Sequence, residues 1–285
     1  MIATYAQTLK MLMTAIDEGG LITLKTMLAI QPDLANARFH TDPPRTPLLY
    51  LADWPGHKPN AAEIARILIE TGADVNAKLL GNTGETALHC AASSDDIDLI
   101  EALLEGGADI DIGGANIASG TPLTEAVFFS QMNAAELLVR RGATVTLPLA
   151  AGLGRLSWVQ HFFGEWDGLV GQPTPDDQLT TTSKNMKLLG EEALTYAALN
   201  GHIDVASYLL EQGVDIDAMP MDEQSKRTAL HFAVLRDQRD MAQFLVEHGA
   251  DLLLQDEMYG ATPLEWAKHE GKEEIISYLM SVSNQ

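Results

Sequence analysis

Residues 86–111 read TALHCAASSDDIDLIEALLEGGADID, and residues 228–253 read TALHFAVLRDQRDMAQFLVEHGADLL. The two stretches share a Thr, a Leu-His pair, small residues, apolar pairs and a closing Gly-Ala-Asp. A pattern that recurs along one chain is the signature of a repeat architecture. The repeat therefore decides the fold class first, although a repeat scaffold determines how a surface is displayed and not what it binds.

The same pattern can be laid along almost the whole chain. Five units begin with the Thr signature, at Thr46, Thr86, Thr121, Thr228 and Thr262. Three further units keep the helical segments without this start, from Leu12, Leu147 and Ala193. Eight units are therefore predicted, each with a short first helix, a tight turn, a longer second helix and an extended finger.

The T-P-L-H start, the unit length of about 33 residues and the closing Gly-Ala-Asp resemble the ankyrin repeat family over residues 12–282. The resemblance implies an all-α solenoid of stacked helix-turn-helix units with extended fingers. It makes residues 1–285 a single domain, in which 1–37 and 262–285 are terminal capping units. Residues 164–191 are then an insertion between two units.

The hydrophobic spacing supports stacking independently of the family. In the unit that begins at Thr86, the second helix carries apolar residues at the spacing of one helical face, namely Ile97, Ile100, Leu103 and Leu104. A lone helix pair cannot bury such a face, and small residues such as Ala91 and Ala92 let neighbouring pairs approach closely. Stacked units are therefore expected to share one core.

Glycines and histidines at fixed repeat positions are interpreted as structural. A glycine after each second helix is expected to end it with a positive φ; these glycines are Gly107, Gly142, Gly213 and Gly249. In the ankyrin family the histidine of the T-x-L-H start bonds backbone across the turn, which implies the same role for His89 and His231. His202, in an Asn-Gly-His turn, is expected to be structural as well.

Composition and charge narrow the class of protein. Of the 285 residues 46% are hydrophobic, which is enough for a folded core. The 40 acidic and 18 basic residues give a net charge of -22, which repels nucleic acid and anionic lipid. We expect no nucleic acid and no membrane partner. The acidity fits either a partner protein with a basic surface or a surface that only keeps the molecule in solution.

The single cysteine, Cys90, fits a reducing, cytoplasmic location. We expect it to be a small buried residue rather than a nucleophile. The N-terminal stretch is amphipathic and lacks the pattern of an export signal. No later run approaches the roughly 20 apolar residues of a membrane span.

Departures from the repeat are where function is expected, since stacking fixes the regular positions. Four fingers are longer than usual: 37–46, 77–86, 112–121 and the one after Asp217. Their length fits either recognition or tolerated surface insertion.

The turn between the two helices of the Thr46 unit is also lengthened. It carries Trp54, Pro55, His57 and Pro59, which together predict a rigid bump with an exposed aromatic side chain. Asn60, at its end, is expected to be the N-cap of the next helix.

Residues 164–191 form the largest insertion, and Trp166 is its most conspicuous side chain. The sequence from Thr174 has an N-cap, a proline and two acids, which predicts an extra helix running toward Leu189. The insertion could divide the stack into two halves, or serve as a recognition loop, a lid or a spacer.

In ankyrin proteins the two residues before each inter-helix turn line the concave face, and several of them are apolar in this chain. Together they predict a partly aromatic groove flanked by acids, as in a protein or peptide contact. The predicted partner-binding residues are Asp53, Trp54, His57, Phe128, Phe129, Leu153, Trp166, Leu235 and Arg236. Phe128 or Phe129 could instead fill space under the longer fingers. Aromatic residues at one position inside the first helices are interpreted as core: Tyr50, Tyr196, Phe232 and Trp266.

Common signatures of nucleotide, zinc, hydrolase and redox sites do not occur in the sequence, so no cofactor, metal site or catalytic residue is predicted. The leading hypothesis is a non-enzymatic interaction module. In an enzyme whose groove closes around a small molecule, His57, Asp53 and His161 could act as acid and base. Two alternatives stay open: a small-molecule-binding protein or enzyme with a pocket near Trp158, His161 and Trp166, and a secreted effector.

Overall fold

The computed structural model describes residues 4–81, 84–114, 117, 119–164, 183–220 and 226–283. Within these ranges every regular element is helical and no strand is present, as the repeat pattern predicts. The α-helices are α1 (Tyr5–Asp17), α2 (Leu21–Ile30), α3 (Pro47–Ala52), α4 (Ala61–Glu70), α5 (Ala87–Ser93), α6 (Ile97–Glu105), α7 (Pro122–Phe128), α8 (Met132–Arg140), α9 (Leu147–Gly152), α10 (Leu156–Phe162), α11 (Ser183–Asn200), α12 (Ile203–Glu211), α13 (Ala229–Leu235), α14 (Arg239–Glu247), α15 (Pro263–His269) and α16 (Glu273–Ser283). A short 3₁₀ helix, Pro32–Asn36, follows α2.

The chain divides into two compact units, Met1–Ala143 and Thr144–Gln285. The first contains α1 to α8 and the second contains α9 to α16. The boundary therefore falls ahead of residues 164–191, the segment that the sequence offers as a divider.

The helices of the first unit form two layers. The first helices of successive repeats pack side by side in the order α1, α3, α5 and α7, and the second helices pack in the order α2, α4, α6 and α8. Each repeat therefore buries its apolar face against its neighbours, as expected for a repeat that cannot form a core alone.

The second unit has the same layout in its first helices, where α9, α11, α13 and α15 pack in sequence. Among the second helices, α10 packs on α12 and α14 packs on α16. The sixteen α-helices of the described residues thus form eight pairs, which confirms the predicted repeat architecture.

Helix α6 shows how the sequence builds one layer. Its N-cap is Asp96, whose carboxylate accepts a hydrogen bond from the backbone N–H of Leu99. Its buried residues are Leu99, Ile100, Ala102 and Leu103. The predicted face is therefore correct for Ile100 and Leu103, whereas Ile97 and Leu104 are half-buried. The interpretation of Ala91 and Ala92 as packing residues is confirmed, because both are fully buried.

The glycines that follow the second helices have the predicted conformation. The φ angles of Gly107, Gly142, Gly213 and Gly249 are 88°, 96°, 82° and 95°. A residue with a side chain rarely adopts such angles, so these glycines end the helices and allow the chain to enter the finger.

The histidine of the T-x-L-H start links one repeat to the next finger. In His89, Nδ1 accepts from the backbone N–H of Thr86 at 3.1 Å and Nε2 lies 3.2 Å from the carbonyl oxygen of Gly120. His231 repeats the arrangement with Thr228 and with the carbonyl oxygen of Ala261. The structural interpretation of both histidines is confirmed.

The shared aromatic position inside the first helices is only partly core. Tyr196 and Phe232 are buried, as predicted. Tyr50 and Trp266 are half-buried instead, and each donates a hydrogen bond to a carboxylate. Tyr50 Oη donates to Asp17, and the partner of Trp266 is described with the last finger below.

The two terminal units differ in surface character. In the first, Ile22 and Ile30 on α2 are exposed, whereas the last unit exposes charged residues such as Glu273 and Glu274 on α16. In the described part of the chain, no helix combines the length and the apolar character needed to cross a membrane.

Candidate functional site

The lengthened turn between α3 and α4 presents Trp54, which is 83% exposed. Two contacts fix this turn to the preceding repeat. Lys58 Nζ lies 2.8 Å from Asp17 Oδ1, and Asn60 Nδ2 donates to the carbonyl oxygen of Gly19 at 2.9 Å. Trp54 therefore stands on a turn that is fastened on this side.

The same turn is also fastened to the following repeat. The backbone N–H of His57 donates to Asp96 Oδ2 at 3.1 Å, and His57 Nε2 lies 2.8 Å from the carbonyl oxygen of Ser94. At Gly56, which has a φ of 75°, a Cβ would lie 2.8 Å from the Cβ of Ser94, so this approach requires glycine. A turn fixed on both sides loses little conformational entropy when Trp54 binds a partner.

Asn60 begins helix α4, as predicted, but not by the predicted bond. It has a φ of 57° and makes no side-chain hydrogen bond to the first turn of the helix. Its amide is used for Gly19 instead. The residue therefore fastens the turn rather than capping the helix with its side chain.

Asp53, at the end of α3, forms an ion pair with Arg45, in which Nε and Oδ2 are 3.0 Å apart. Arg45 also donates to the carbonyl oxygen of Pro43, so the pair ties the helix to the finger before it. His57 contacts Ser94 and Asp96. Asp53 and His57 are therefore each engaged with other groups.

Phe128 and Phe129 end helix α7, with ring centroids 5.3 Å apart in an edge-to-face arrangement. Phe129 is 38% exposed and Phe128 is half-buried. Trp54 stands just after α3 as Phe129 stands just after α7. Because α3, α5 and α7 pack side by side, these side chains lie along one edge of the layer. We call Trp54, Phe128 and Phe129 the first-unit edge.

In the second unit the predicted residues are less accessible. Leu153 is only 8% exposed, against the expectation that it lines an open groove, since α9, whose end it caps, packs along the long helix α11. Leu235 and Arg236, at the end of α13, are half-buried. Burial lowers the pKa of Arg236.

Trp166 lies outside the described residues, as do 165–182. Helix α11 begins at Ser183, passes Leu189 and continues to Asn200. The end of the predicted insertion helix and the first helix of the next unit are thus one continuous helix.

Two of the residues predicted to lie near a small-molecule pocket, Trp158 and His161, are on α10. Trp158 is half-buried beneath the guanidinium of Arg155, which is 5.8 Å from its ring centroid, and His161 is exposed. An open cleft of about 550 Å³ occurs elsewhere in the second unit, between α14 and α16, lined by Arg239, Glu273, Glu274, Ser277 and Tyr278. Its lining includes no residue of α10.

Burial raises the pKa of Cys90 to about 12. The thiol is therefore protonated at neutral pH, which is unsuitable for a nucleophile. The protonated thiol agrees with the expectation that Cys90 is not a nucleophile, whereas the residue is half-buried rather than fully buried.

The finger between α14 and α15 holds a feature that sequence reasoning misses. Asp256 is only 2% exposed and accepts four hydrogen bonds, from the backbone N–H groups of Met258, Tyr259 and Ala261 and from Nε1 of Trp266, at distances of 2.7 to 3.2 Å. The loop is thereby closed around one carboxylate, while Tyr259 remains 67% exposed. One sequence signal could have indicated this loop. Tyr259 lies in the finger three residues before Thr262, where an aromatic residue has no role in helix stacking.

Arg227 covers the inner side of this loop. The Cζ atom of Arg227 lies 4.5 Å from the ring centroid of Trp266, 5.9 Å from that of Tyr259 and 6.0 Å from that of Phe232. Its Nη2 is 3.8 Å from Sδ of Met258. The guanidinium is thus held among three aromatic rings.

Comparison with known proteins identifies the repeat family of the chain. A family model described as ankyrin repeats (three copies) matches residues 12–113, 60–148, 149–256 and 221–285. Among solved structures, the ankyrin repeat domain of human ASB11 is similar at 21% identity, covering 94% of this chain and 96% of that chain with a TM-score of 0.49. No curated protein matches significantly.

Proposed function

Because the chain belongs to the ankyrin-repeat family, whose repeats generally mediate protein–protein interaction, we propose that it is a non-enzymatic scaffold that binds a partner protein through its concave groove and fingers. The observation that carries this proposal is Trp54. It is a large aromatic side chain, 83% exposed, on a turn bonded to the repeats on both sides.

Trp54 has the properties of an anchor for a partner. Exposed tryptophan is enriched among the few residues that carry most of the energy of an interface. Structural packing does not explain its position, since its side chain faces solvent. Phe129 extends the apolar surface along the same edge of the first unit, and Ser93 and Ser94, at the end of α5, lie between the two. The first-unit edge is therefore the proposed contact surface.

The charge of the chain indicates the partner's character. At a net charge of -22, the protein attracts a basic surface and accelerates its approach. We propose a partner with a basic face. We expect association to slow markedly when ionic strength is raised from about 0.05 M to about 0.5 M, because the Debye length shrinks. Stopped-flow measurement of the association rate checks this; a rate independent of salt contradicts it.

Replacing Trp54 by alanine is expected to weaken partner binding by about 20-fold, since the anchor is lost while the fold keeps its core. The partner is first captured from lysate of the native host with the tagged protein, identified by mass spectrometry and purified. Its affinity is then measured by titration calorimetry.

Ile22→Ala is the matched control, because Ile22 is equally exposed in the same unit but lies on the second-helix layer. Its affinity should equal that of the wild type. Phe129→Ser should weaken binding less than Trp54→Ala, since Phe129 exposes less of its surface. If the captured proteins and affinities are the same for wild type, Trp54→Ala and Phe129→Ser, the first-unit edge is not the contact surface.

A further inference from the structure

Arg227 ends the finger before α13 and lies against the last finger, which runs between α14 and α15. Among the described residues, the hydrogen-bonding capacity of its guanidinium is largely unused. Arg227 has no carboxylate within 4 Å among the residues that the structure describes. Its Nε is buried without an acceptor, and Nη2 reaches only a thioether sulfur, which is a weak acceptor. In a chain with 40 acidic residues, this is an unusual situation for a guanidinium.

Three carboxylates of the last finger and the start of α15 are already bound elsewhere. The carboxylate of Asp256 already accepts hydrogen bonds from four N–H donors. Glu257 pairs with Lys226 at 2.6 Å, and Glu265 accepts from the backbone N–H and the hydroxyl of Thr262. None of these carboxylates is therefore available to Arg227 without breaking another contact.

The aromatic rings hold the guanidinium in place. The positions of Cζ over the rings of Trp266 and Tyr259 restrain the guanidinium. These contacts satisfy none of its N–H donors, because a cation–π contact supplies no hydrogen-bond acceptor in the plane of the group. A guanidinium fixed in this way is preorganised for a carboxylate, which it can bind with two parallel hydrogen bonds. Arg227 is half-buried, so part of it remains accessible.

An apolar surface adjoins the arginine. Met258 and Tyr259 are 45% and 67% exposed, and Asp256 fixes the backbone of both through its Oδ1 atom. Their positions are therefore set before any partner arrives. A guanidinium that can bind a carboxylate, next to a rigid apolar surface, favours a ligand that carries both a carboxylate and an apolar group.

We propose that the last finger binds an extended segment of a partner protein that places an Asp or Glu side chain on the guanidinium of Arg227 and an adjacent large apolar side chain on Met258 and Tyr259. This rests on the proposed function in taking the chain as a protein-binding module, but it concerns a different surface from the first-unit edge. The basic character proposed for the partner as a whole is compatible with one acidic residue at this point.

The test uses a phage-displayed library of random peptides selected on the full-length protein. Enriched sequences are expected to pair Asp or Glu with a neighbouring Phe, Leu, Trp or Met. An enriched peptide is then synthesised with an acetylated N-terminus and an amidated C-terminus, so that only side-chain carboxylates are present. Its affinity is measured by titration calorimetry.

A double-substitution comparison assigns the contact. In the wild type, exchanging the peptide's Glu for Gln should weaken binding about tenfold, and in Arg227→Ala the same exchange should have almost no effect. Arg239→Ala is the matched control, since Arg239 is an arginine of the same unit that already pairs with Glu274; binding should be unchanged. Tyr259→Ser tests the apolar part without removing the packing of Arg227 against Trp266, and it should also weaken binding.

Several results would overturn the proposal. They are enrichment of basic or uncharged peptides, no enrichment at all, and an equal effect of the Glu-to-Gln exchange in wild type and Arg227→Ala. Trp54→Ala separates the two proposals, because it should leave peptide binding intact. Peptides that depend on Trp54 and not on Arg227 would support the first-unit edge and refute the role of the last finger.

Discussion

Replacing Asp256 by alanine is expected to lower the free energy of unfolding by about 3 kcal/mol. The substitution removes the acceptor of three backbone N–H groups and of Nε1 of Trp266. A hydrogen bond to a charged group contributes about 1.5 to 3 kcal/mol. Water can replace some of the lost partners at this surface loop, so the expected loss is well below the sum of four bonds. Urea denaturation followed by circular dichroism measures it.

Glu257→Ala is the control for this substitution, because it removes the same charge from the next residue in the chain. Glu257 is exposed, and its side chain pairs with Lys226 at the surface. Such surface pairs contribute under about 1 kcal/mol. Equal losses for the two variants would show that Asp256 acts only through charge. A large loss for Asp256→Ala alone supports its role as the acceptor that closes the loop.

Acid should weaken the same contact. Burial by itself raises the pKa of Asp256, but the hydrogen bonds from Trp266 and from the loop backbone outweigh burial and leave the pKa below its ordinary value. A carboxyl whose pKa is lowered by folding stabilises the folded state above its unfolded pKa. This stability is lost as the pH falls through the lower, folded value.

The repeat fold is predictable from the sequence because its signals are local. A glycine such as Gly107 must follow a helix where φ is positive, and the geometry of His89 is set by a Thr three residues earlier. These constraints act within a few residues and recur in each repeat. The periodicity of the sequence therefore locates the helices. In α6 the observed burial differs from the prediction only at Ile97 and Leu104, which are half-buried.

The candidate surfaces are less predictable because exposure depends on what packs nearby. Trp54 is correctly expected at the surface, since its turn departs in length from the repeat. Leu153 occupies an equivalent position but is buried. It follows the end of α9, where the turn after α11 packs and His202 Nε2 lies 3.0 Å from the carbonyl oxygen of Gly152. The bonds of Asp256 arise from the path of one loop, which no periodic pattern encodes.

The largest pH effect is expected from His89. Burial lowers its pKa from 6.5 to about 4 and outweighs the hydrogen bond to the carbonyl oxygen of Gly120, which by itself raises the pKa. The unfolded state takes up a proton as the pH falls through about 6.5, whereas the folded state does not. Stability is therefore fully present above that pH and falls toward pH 4 by about 3 kcal/mol, at about 1.4 kcal/mol per unit of pKa difference.

Comparing urea denaturation at a series of pH values between about 7 and 4 isolates this contribution. Burial lowers the pKa of His202 and His231 as well, so the wild-type slope contains all three, and His89→Gln should reduce it by the share of His89. His40→Gln, at an exposed histidine, should leave the slope unchanged. Nuclear magnetic resonance titration of the ring protons gives an independent reading in the wild type, where the His89 ring should stay neutral at pH 5. A ring already protonated at that pH, or a slope equal in His89→Gln and wild type, would refute the link between this buried repeat histidine and acid sensitivity.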